Sequence, residues 1–177
     1  FTIFNYELVL SINLRIKALH MKYAAHIVLC SFLFFDCSNK QNHNPITENE
    51  VNELMDRWLT LWSSYDLNLL DSIFWQDMDM SYFSSEKRGL IKGYSAMHPH
   101  HKGFGFVEGG KQPSKALWLE EVDITLQPDF AVVGAIWYFG DKSMPKDSVQ
   151  NGPVSFVVLR NKAGMVKIAH THFANYE

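Results

Sequence analysis

The second half of the chain is a succession of apolar segments separated by short groups of turn residues. The segments cover residues 116–126, 130–139, 154–160 and 165–173, and the last two are divided by Asn161 to Gly164. Segments of this length, rich in β-branched and aromatic residues and bounded by glycine, proline or asparagine, are typical of strands joined by tight turns. The sequence therefore predicts four antiparallel strands after Pro113.

Helical patterns precede these strands. Thr47 and Glu50 have the spacing of a capping box, and apolar residues then recur on one helical face: Val51, Leu54, Met55, Trp58, Leu61, Trp62 and Tyr65. Asp66 can cap a second, short helix. A third helix is predicted over 93–102, short or kinked because Pro99 removes a backbone donor. Helices followed by an antiparallel meander predict an α+β fold, with the helices on one face of the sheet.

Composition excludes some classes of partner. The chain has 16 Lys and Arg against 19 Asp and Glu, a formal net charge of -3, and its basic residues form no run. Nucleic acid is therefore not an expected partner. The glycine-rich segment 103–110 lacks the preceding strand and the Gly-Lys-Ser/Thr ending of a phosphate loop, so no nucleotide and no other cofactor is expected.

The N-terminal region has the pattern of an export signal. The chain begins with Phe1, and we expect Met21 to be the start, with residues 1–20 upstream or non-native. A basic residue, an apolar stretch over 24–35 and Cys37 resemble a bacterial lipoprotein signal over 21–37. Its apolar core is too short to span a bilayer. Cys37 would then carry the lipid.

This pattern predicts the organisation of the chain. Residues 38–46 form a polar tether and residues 47–177 one folded domain, anchored through lipid on the periplasmic side of a bacterial envelope. Cys30 and Cys37 are the two cysteines of the chain and both lie before the tether. The domain therefore contains no disulfide and no cysteine metal site.

Two histidines stand close together on the last predicted strand. Side chains alternate across a strand, so His170 and His172 are expected to share a face with Val166 and Ile168. Two titratable rings on an apolar face are costly unless they are satisfied. They are therefore either hydrogen-bonded core residues or the polar wall of a pocket.

The histidines also raise the question of a metal site. His98, His100 and His101 together with the two on the last strand would supply imidazole ligands for zinc. However, His98 and His100 flank Pro99, where an exposed turn is expected, and the sequence has no His-Glu-x-x-His spacing. No metal ion is expected.

Four segments resemble the SnoaL-like branch of the nuclear transport factor two-like superfamily. They are Trp58 to Phe74, Tyr82-Phe-Ser-Ser, His100-His-Lys-Gly-Phe-Gly-Phe106, and the closing pair Gly152-Pro-Val-Ser-Phe-Val and Ile168-Ala-His-Thr-His-Phe173. The resemblance covers residues 47–176. It implies a cone-shaped domain in which a curved, mainly antiparallel sheet wraps around about three N-terminal helices and leaves an apolar cavity open at one end. It also implies homodimers through the sheet.

Within such a cone, eight residues are candidates for the cavity wall: Trp58, Trp62, Tyr82, His101, Phe104, Trp137, His170 and His172. Simple packing is the alternative role for most of them, above all for Trp58 and Trp62 on the apolar helical stripe. Tyr82, Trp137 and His172 each offer a polar tip that a pocket can use.

Three functions remain open from the sequence. The first is binding of a small hydrophobic or aromatic molecule in the cavity without chemistry. The second, taken from the resemblance, is an isomerase, cyclase or hydratase in which His101 or His172 is the base and Tyr82 stabilises developing negative charge. The third is a dimerisation module similar to the association domain of calcium/calmodulin-dependent kinase.

Overall fold

The computed structural model describes residues 44–176. The predicted signal over 21–37, with Cys37, and the tether before residue 44 lie outside the described residues. In the described range no helix is both long enough and apolar enough to cross a membrane.

The helices lie where the sequence patterns predict them. Helix α1 spans Glu48–Ser64, a 3-10 turn at Leu67–Leu69 leads into the short α2 at Leu70–Ile73, and α3 spans Tyr94–Phe104 with Pro99 inside it. The capping box is present: the Thr47 hydroxyl accepts from the Glu50 amide at 3.3 Å, and the Glu50 carboxylate accepts from the Thr47 amide at 2.9 Å. Both bonds satisfy donors that the first turn of a helix leaves unpaired.

Within residues 44–176, six strands form one sheet in the order β2-β1-β6-β5-β4-β3. They are β1 Ser81–Phe83, β2 Ile91–Lys92, β3 Ala116–Leu126, β4 Phe130–Gly140, β5 Gln150–Arg160 and β6 Val166–Phe173. A short 3-10 turn at Lys146–Ser148 precedes β5. Strands β3 to β6 form the predicted antiparallel meander, while β1 pairs in parallel with β6. The two-residue β2 was not predicted.

Strand β1 begins later in the chain than the sequence pattern predicts. The alternation of Met78, Met80 and Tyr82 predicts one continuous strand, but Met78 is 79% exposed and lies in a turn. Regular pairing covers only Ser81–Phe83. The alternating pattern therefore applies to Met80 and Tyr82 alone.

Two irregularities in pairing curve the sheet. On β3 the register shifts between Glu120 and Asp123, where Glu121 has a positive φ of 51°. On β6, Val157 pairs with His170 and Val158 with Ile168, which leaves Ala169 as an extra residue. Bulges of this kind bend a strand and increase its twist. The bulge at Ala169 also changes which face the following residues occupy.

The core lies between α1 and the concave face of the sheet. Trp58 is fully buried, with its ring centroid 5.0 Å from that of Phe156 and 6.0 Å from that of Phe173. The C-terminal tail closes over this core at Gly152, where an added Cβ would lie 2.0 Å from the Ala174 carbonyl oxygen. Only glycine permits this close approach.

Candidate functional site

A cleft opens between the helices and the concave face of the sheet. Six aromatic side chains from five elements line it: Trp62 on α1, Tyr82 on β1, Phe104 at the end of α3, Trp137 and Phe139 on β4, and Phe173 on β6. The structure therefore brings four of the eight predicted wall residues together on an apolar lining, and adds His101 from α3 as a fifth.

The aromatic rings fill most of the space they enclose. The cavity volume is about 20 Å³, which is room for about one water molecule. Four of the six aromatic side chains are buried, while Phe104 and Phe139 are partly exposed. A ligand larger than water therefore requires these rings to move, and Phe104, which ends α3 beside Gly105, is the one at a helix terminus.

Tyr82 reaches the cleft through its pairing with β6. It is opposite Thr171 in the parallel register, and both side chains lie on the concave face. Burial raises the pKa of the Tyr82 phenol well above its ordinary value. The phenol is therefore neutral near pH 7 and can donate a hydrogen bond.

His101 lies in the last turn of α3 and is 2% exposed. Its Nδ1 lies 3.1 Å from the Met97 carbonyl oxygen. Because a carbonyl can only accept, Nδ1 carries the proton and Nε2 is left as the acceptor. Burial is the main cause that lowers the pKa of His101 to about 4. The ring is therefore neutral near pH 7 and offers a lone pair at Nε2.

Polar side chains surround the mouth of the cleft: Ser84, Ser85, Glu86, His100 and Gln150. Gln150 Nε2 donates to Glu86 Oε1 at 2.7 Å and to Asn175 Oδ1 at 3.1 Å, so the β1–β2 loop is held against the C-terminal tail. The His100 ring lies 5.5 Å from the Tyr82 ring. Partial burial, and to a lesser extent the charge of Lys87, lowers the pKa of His100.

Two predicted wall residues have structural roles. Trp58 is buried beneath the cleft and does not line it. Trp137 lines the cleft, but its Nε1 donates to the Ala174 carbonyl at 2.9 Å. Its polar tip therefore holds the C-terminal tail and is not free for a ligand.

The chain is similar in fold to several solved structures. No protein-family model matches the chain, and no curated protein matches it. Among solved structures it is similar to a nuclear transport factor 2-like superfamily protein from Salmonella enterica, with a TM-score of 0.58 and 21% identity over 73% of this chain and 90% of that one. The chain has a nuclear transport factor 2-like fold.

Two further structures share the fold with different assignments. One is a candidate ketosteroid isomerase from Parabacteroides distasonis, with a TM-score of 0.58 and 17% identity over 79% of this chain and 95% of that one. The other is a candidate calcium/calmodulin-dependent protein kinase type II association domain from Thiobacillus denitrificans, with a TM-score of 0.58 and 11% identity over 71% and 94%. At these identities the likeness establishes the nuclear transport factor 2-like fold alone.

His170 and His172 do not lie on the concave face of this nuclear transport factor 2-like cone. The expectation that they share a face with Val166 and Ile168 is wrong, because the extra residue at Ala169 reverses the alternation. Ile168, Thr171 and Phe173 are buried on the concave face, while His170 is half-buried and His172 exposed on the other.

On the outer face the two rings form a separate cluster with β1. Ser81 Oγ is hydrogen-bonded to His170 Nδ1 at 2.8 Å, and the His172 ring lies 5.2 Å from the Phe83 ring. Partial burial lowers the pKa of His170. In the part of the chain that the structure describes, no group of three or more His, Cys, Asp or Glu side chains is placed to hold a metal ion.

Several residues of the cleft were not predicted from the sequence. Phe139 and Phe173 lie on the predicted strands, and the alternation of β4 with Trp137 would have placed Phe139 correctly. His100, Glu86 and Gln150 come from the mouth, where loops meet. No local sequence signal indicates that Glu86 and Gln150, 64 residues apart, are bonded.

Proposed function

We propose that the domain binds a small hydrophobic or aromatic molecule in the cleft, with Tyr82 and His101 orienting it. The observation that carries the proposal is the contact of these two polar side chains among the aromatic residues of the lining. Their ring centroids are 5.6 Å apart. A few placed polar groups in a mainly apolar concave site are typical of small-molecule pockets.

The pair fits a ligand with a polar group at one end. Tyr82 donates through its hydroxyl, and His101 accepts through Nε2 because its Nδ1 is bonded to Met97. Both groups are neutral near pH 7, since burial raises the pKa of one and lowers that of the other. A carbonyl group on an apolar ring would accept from Tyr82, and a hydroxyl group could accept from Tyr82 or donate to His101 Nε2.

The test is a ligand-observed NMR screen of fluorinated aromatic fragments against the full chain, with mass spectrometry of compounds that co-purify. We expect hits whose affinity falls about tenfold, the worth of one hydrogen bond, in Tyr82→Phe and in His101→Gln. Asp129→Asn, an exposed change away from the cleft, serves as the control. Absence of any hit, or hits unaffected by both cleft variants, would refute the proposal.

Catalysis at the same pair is the second candidate. In that case His101 would act through Nε2 as a general base and Tyr82 would donate to a developing oxyanion, as in proton transfer next to a carbonyl. The ketosteroid isomerase assignment of the Parabacteroides distasonis structure is consistent with this chemistry. The measurement is exchange of α-protons for deuterium in cyclic ketones, which should be lost in His101→Gln if the pair is catalytic.

A homodimer through the outer face of the sheet is proposed as the assembly. Val132 and Val157 are cross-strand partners there, both half-buried in the single chain, and Phe83 is 37% exposed. The same surface would serve the third candidate, a dimerisation module. Sedimentation of wild type and Val157→Glu tests it, since a dimer through this face should dissociate in the variant.

Export and anchoring are proposed from the sequence alone. Residues 21–37 carry the signal pattern, with Cys37 as the lipidated residue. Fractionation of cells expressing the full chain tests this: the wild type should partition with membranes and Cys37→Ala should not. Equal partitioning of the two would refute lipidation at Cys37.

A further inference from the structure

The outer face of the sheet carries two imidazole rings on one of its inner strands. His170 and His172 lie on β6, which is the third of the six strands within residues 44–176. Residues two apart on a strand share a face, with their Cα atoms about 7 Å apart. Imidazole is the commonest metal ligand among side chains. At this spacing the two rings can turn toward one metal ion.

Ser81 orients the His170 ring. The two residues are opposite each other in the parallel register of β1 and β6, and Ser81 Oγ lies 2.8 Å from His170 Nδ1. In the tautomer with the proton on Nδ1, the hydroxyl accepts from this nitrogen and Nε2 keeps its lone pair. A histidine that binds a metal usually donates its other ring N–H in this way.

Phe83 contacts both imidazole rings. Its ring centroid lies 6.2 Å from that of His170 and 5.2 Å from that of His172. This shared neighbour places the two imidazoles on the same side of the sheet. Because His172 is exposed, its ring can rotate toward a metal ion without displacing a core side chain.

The lysine in the same row of the sheet is already paired. Lys92 is opposite Ser81 on β2. Its Nζ donates to the Asp79 carbonyl at 2.9 Å and lies 3.7 Å from the Asp79 carboxylate. The ammonium is therefore held by Asp79, which balances part of its charge.

A single chain supplies two of the ligands that a structural zinc ion needs. Such an ion takes four, in tetrahedral geometry, and residues 44–176 contain no group of three or more His, Cys, Asp or Glu placed to hold a metal. Val132, Val157 and His170 follow one another across β4, β5 and β6. The histidines therefore adjoin the valines of the proposed dimer interface. An isologous interface brings the same patch of both copies together, and two further imidazoles with it.

We propose that His170 and His172 of two copies of this chain bind one zinc ion across the outer face of the sheet. This inference rests on the homodimer included in the proposed function and names a metal for its interface. The cleft takes no part in it. Four imidazole nitrogens suit zinc, whereas magnesium prefers oxygen ligands.

The test uses the full chain, stripped of metal with EDTA and transferred to metal-free buffer at pH 7.5. Sedimentation velocity over a concentration series measures dimerisation with and without zinc chloride, and isothermal titration measures the stoichiometry. We expect one zinc ion per two chains that depends on His172, and a dimer dissociation constant at least tenfold lower with zinc. Magnesium chloride should leave dimerisation unchanged.

Three variants complete the design. His172→Ala should lose both the binding of this zinc ion and its effect on dimerisation. Ser81→Ala keeps both imidazoles but removes the hydrogen bond to His170, and should weaken zinc binding about tenfold. His98→Ala, on α3, is the matched control and should behave as wild type. His172 is exposed, so its replacement should leave folding intact, which a thermal melt verifies.

The outcomes separate the metal site from the interface. If the metal-free chain is a dimer that Val157→Glu dissociates, and zinc changes nothing, the interface stands and the zinc site is wrong. Zinc bound by single chains without association, or equal losses in His98→Ala and His172→Ala, would also overturn the shared site. If the chain stays monomeric with and without zinc, the homodimer and the zinc site both fail, while the fragment screen still decides binding in the cleft.

Discussion

Tyr82 and His101 meet nearly edge to face in the cleft, with ring centroids 5.6 Å apart and ring planes inclined at 66°. Tyr82 lies on β1, the second strand of the sheet, and His101 lies in the last turn of α3. Their contact depends on the parallel pairing of β1 with β6, which turns Tyr82 to the concave face. The pairing of β1 with β6 therefore positions the donor Tyr82, and the last turn of α3 positions the acceptor His101.

His101 should make folding stability depend on pH in the mildly acidic range. Its pKa is lowered from 6.5 to about 4 in the folded chain, chiefly by burial. The unfolded state therefore binds the proton more readily between these values. Stability from neutral His101 is complete above about pH 6.5 and decreases as the pH falls toward 4, by roughly 3 kcal/mol in total.

Urea denaturation of wild type and His101→Gln from pH 4 to pH 7.5 measures this effect. His100 and His170 also have lowered pKa values, so the difference in slope between the two proteins isolates the contribution of His101. Parallel stability curves over this range would show that His101 is not buried as described.

Phe104→Ala should open the cleft. The ring packs at 5.4 Å from Trp62 and 5.8 Å from Phe139, measured between centroids, and it is partly exposed. Its removal should enlarge the cavity at a cost of about 2 kcal/mol in unfolding free energy. We expect N-phenyl-1-naphthylamine, an uncharged fluorescent probe, to bind at least tenfold more tightly to the variant.

Phe130→Ala is the matched control, since Phe130 is 38% exposed at the start of β4 and does not line the cleft. It should leave binding of the probe unchanged. If both variants bind the probe equally, the gain comes from general loosening of the fold and not from the cleft.

Most of the fold could be predicted from the sequence because the patterns that predict it are local. The capping box at Thr47 and Glu50, the apolar stripe through Trp58 and the turn after Arg160 are each formed by one short stretch of the chain. The bulge at Ala169 is different, because the change of phase between Ile168 and Phe173 does not locate the extra residue, which is set by pairing with β5. Because of this bulge, His170 and His172 lie on the outer face of the sheet and not in the cleft.

The histidines of β6 should be dispensable for ligand binding. His172 is exposed and His170 is bonded to Ser81, both on the outer face of the sheet. We expect His172→Ala and His170→Gln to bind any cleft ligand within twofold of wild type, while His101→Gln loses about tenfold. A titration of the first fragment hit measures all three, and a tenfold loss in His172→Ala would contradict the placement of this strand.

Arg160 should be one of the most sensitive positions outside the core. Its Nη1 and Nη2 each lie 2.7 Å from one oxygen of Glu50, and its Nε and Nη2 donate to the carbonyls of Asn44 and Pro45. These bonds fix the start of α1 against the end of β5, and paired charge-assisted bonds are stronger than single neutral ones. Arg160→Gln should therefore lower the free energy of unfolding by about 2 kcal/mol.

The Arg160 guanidinium also lowers the pKa of Glu50 from 4.5 to about 2. The contribution of the pair to stability is therefore complete above about pH 4.5 and is lost as the pH falls toward 2. Chemical denaturation across this range should show a flatter acid limb in the variant. Lys146→Gln, which breaks the exposed pair with Glu120, is the control and should match wild type. Equal losses in both variants would mean that the geometry around Arg160 adds nothing to an ordinary surface ion pair.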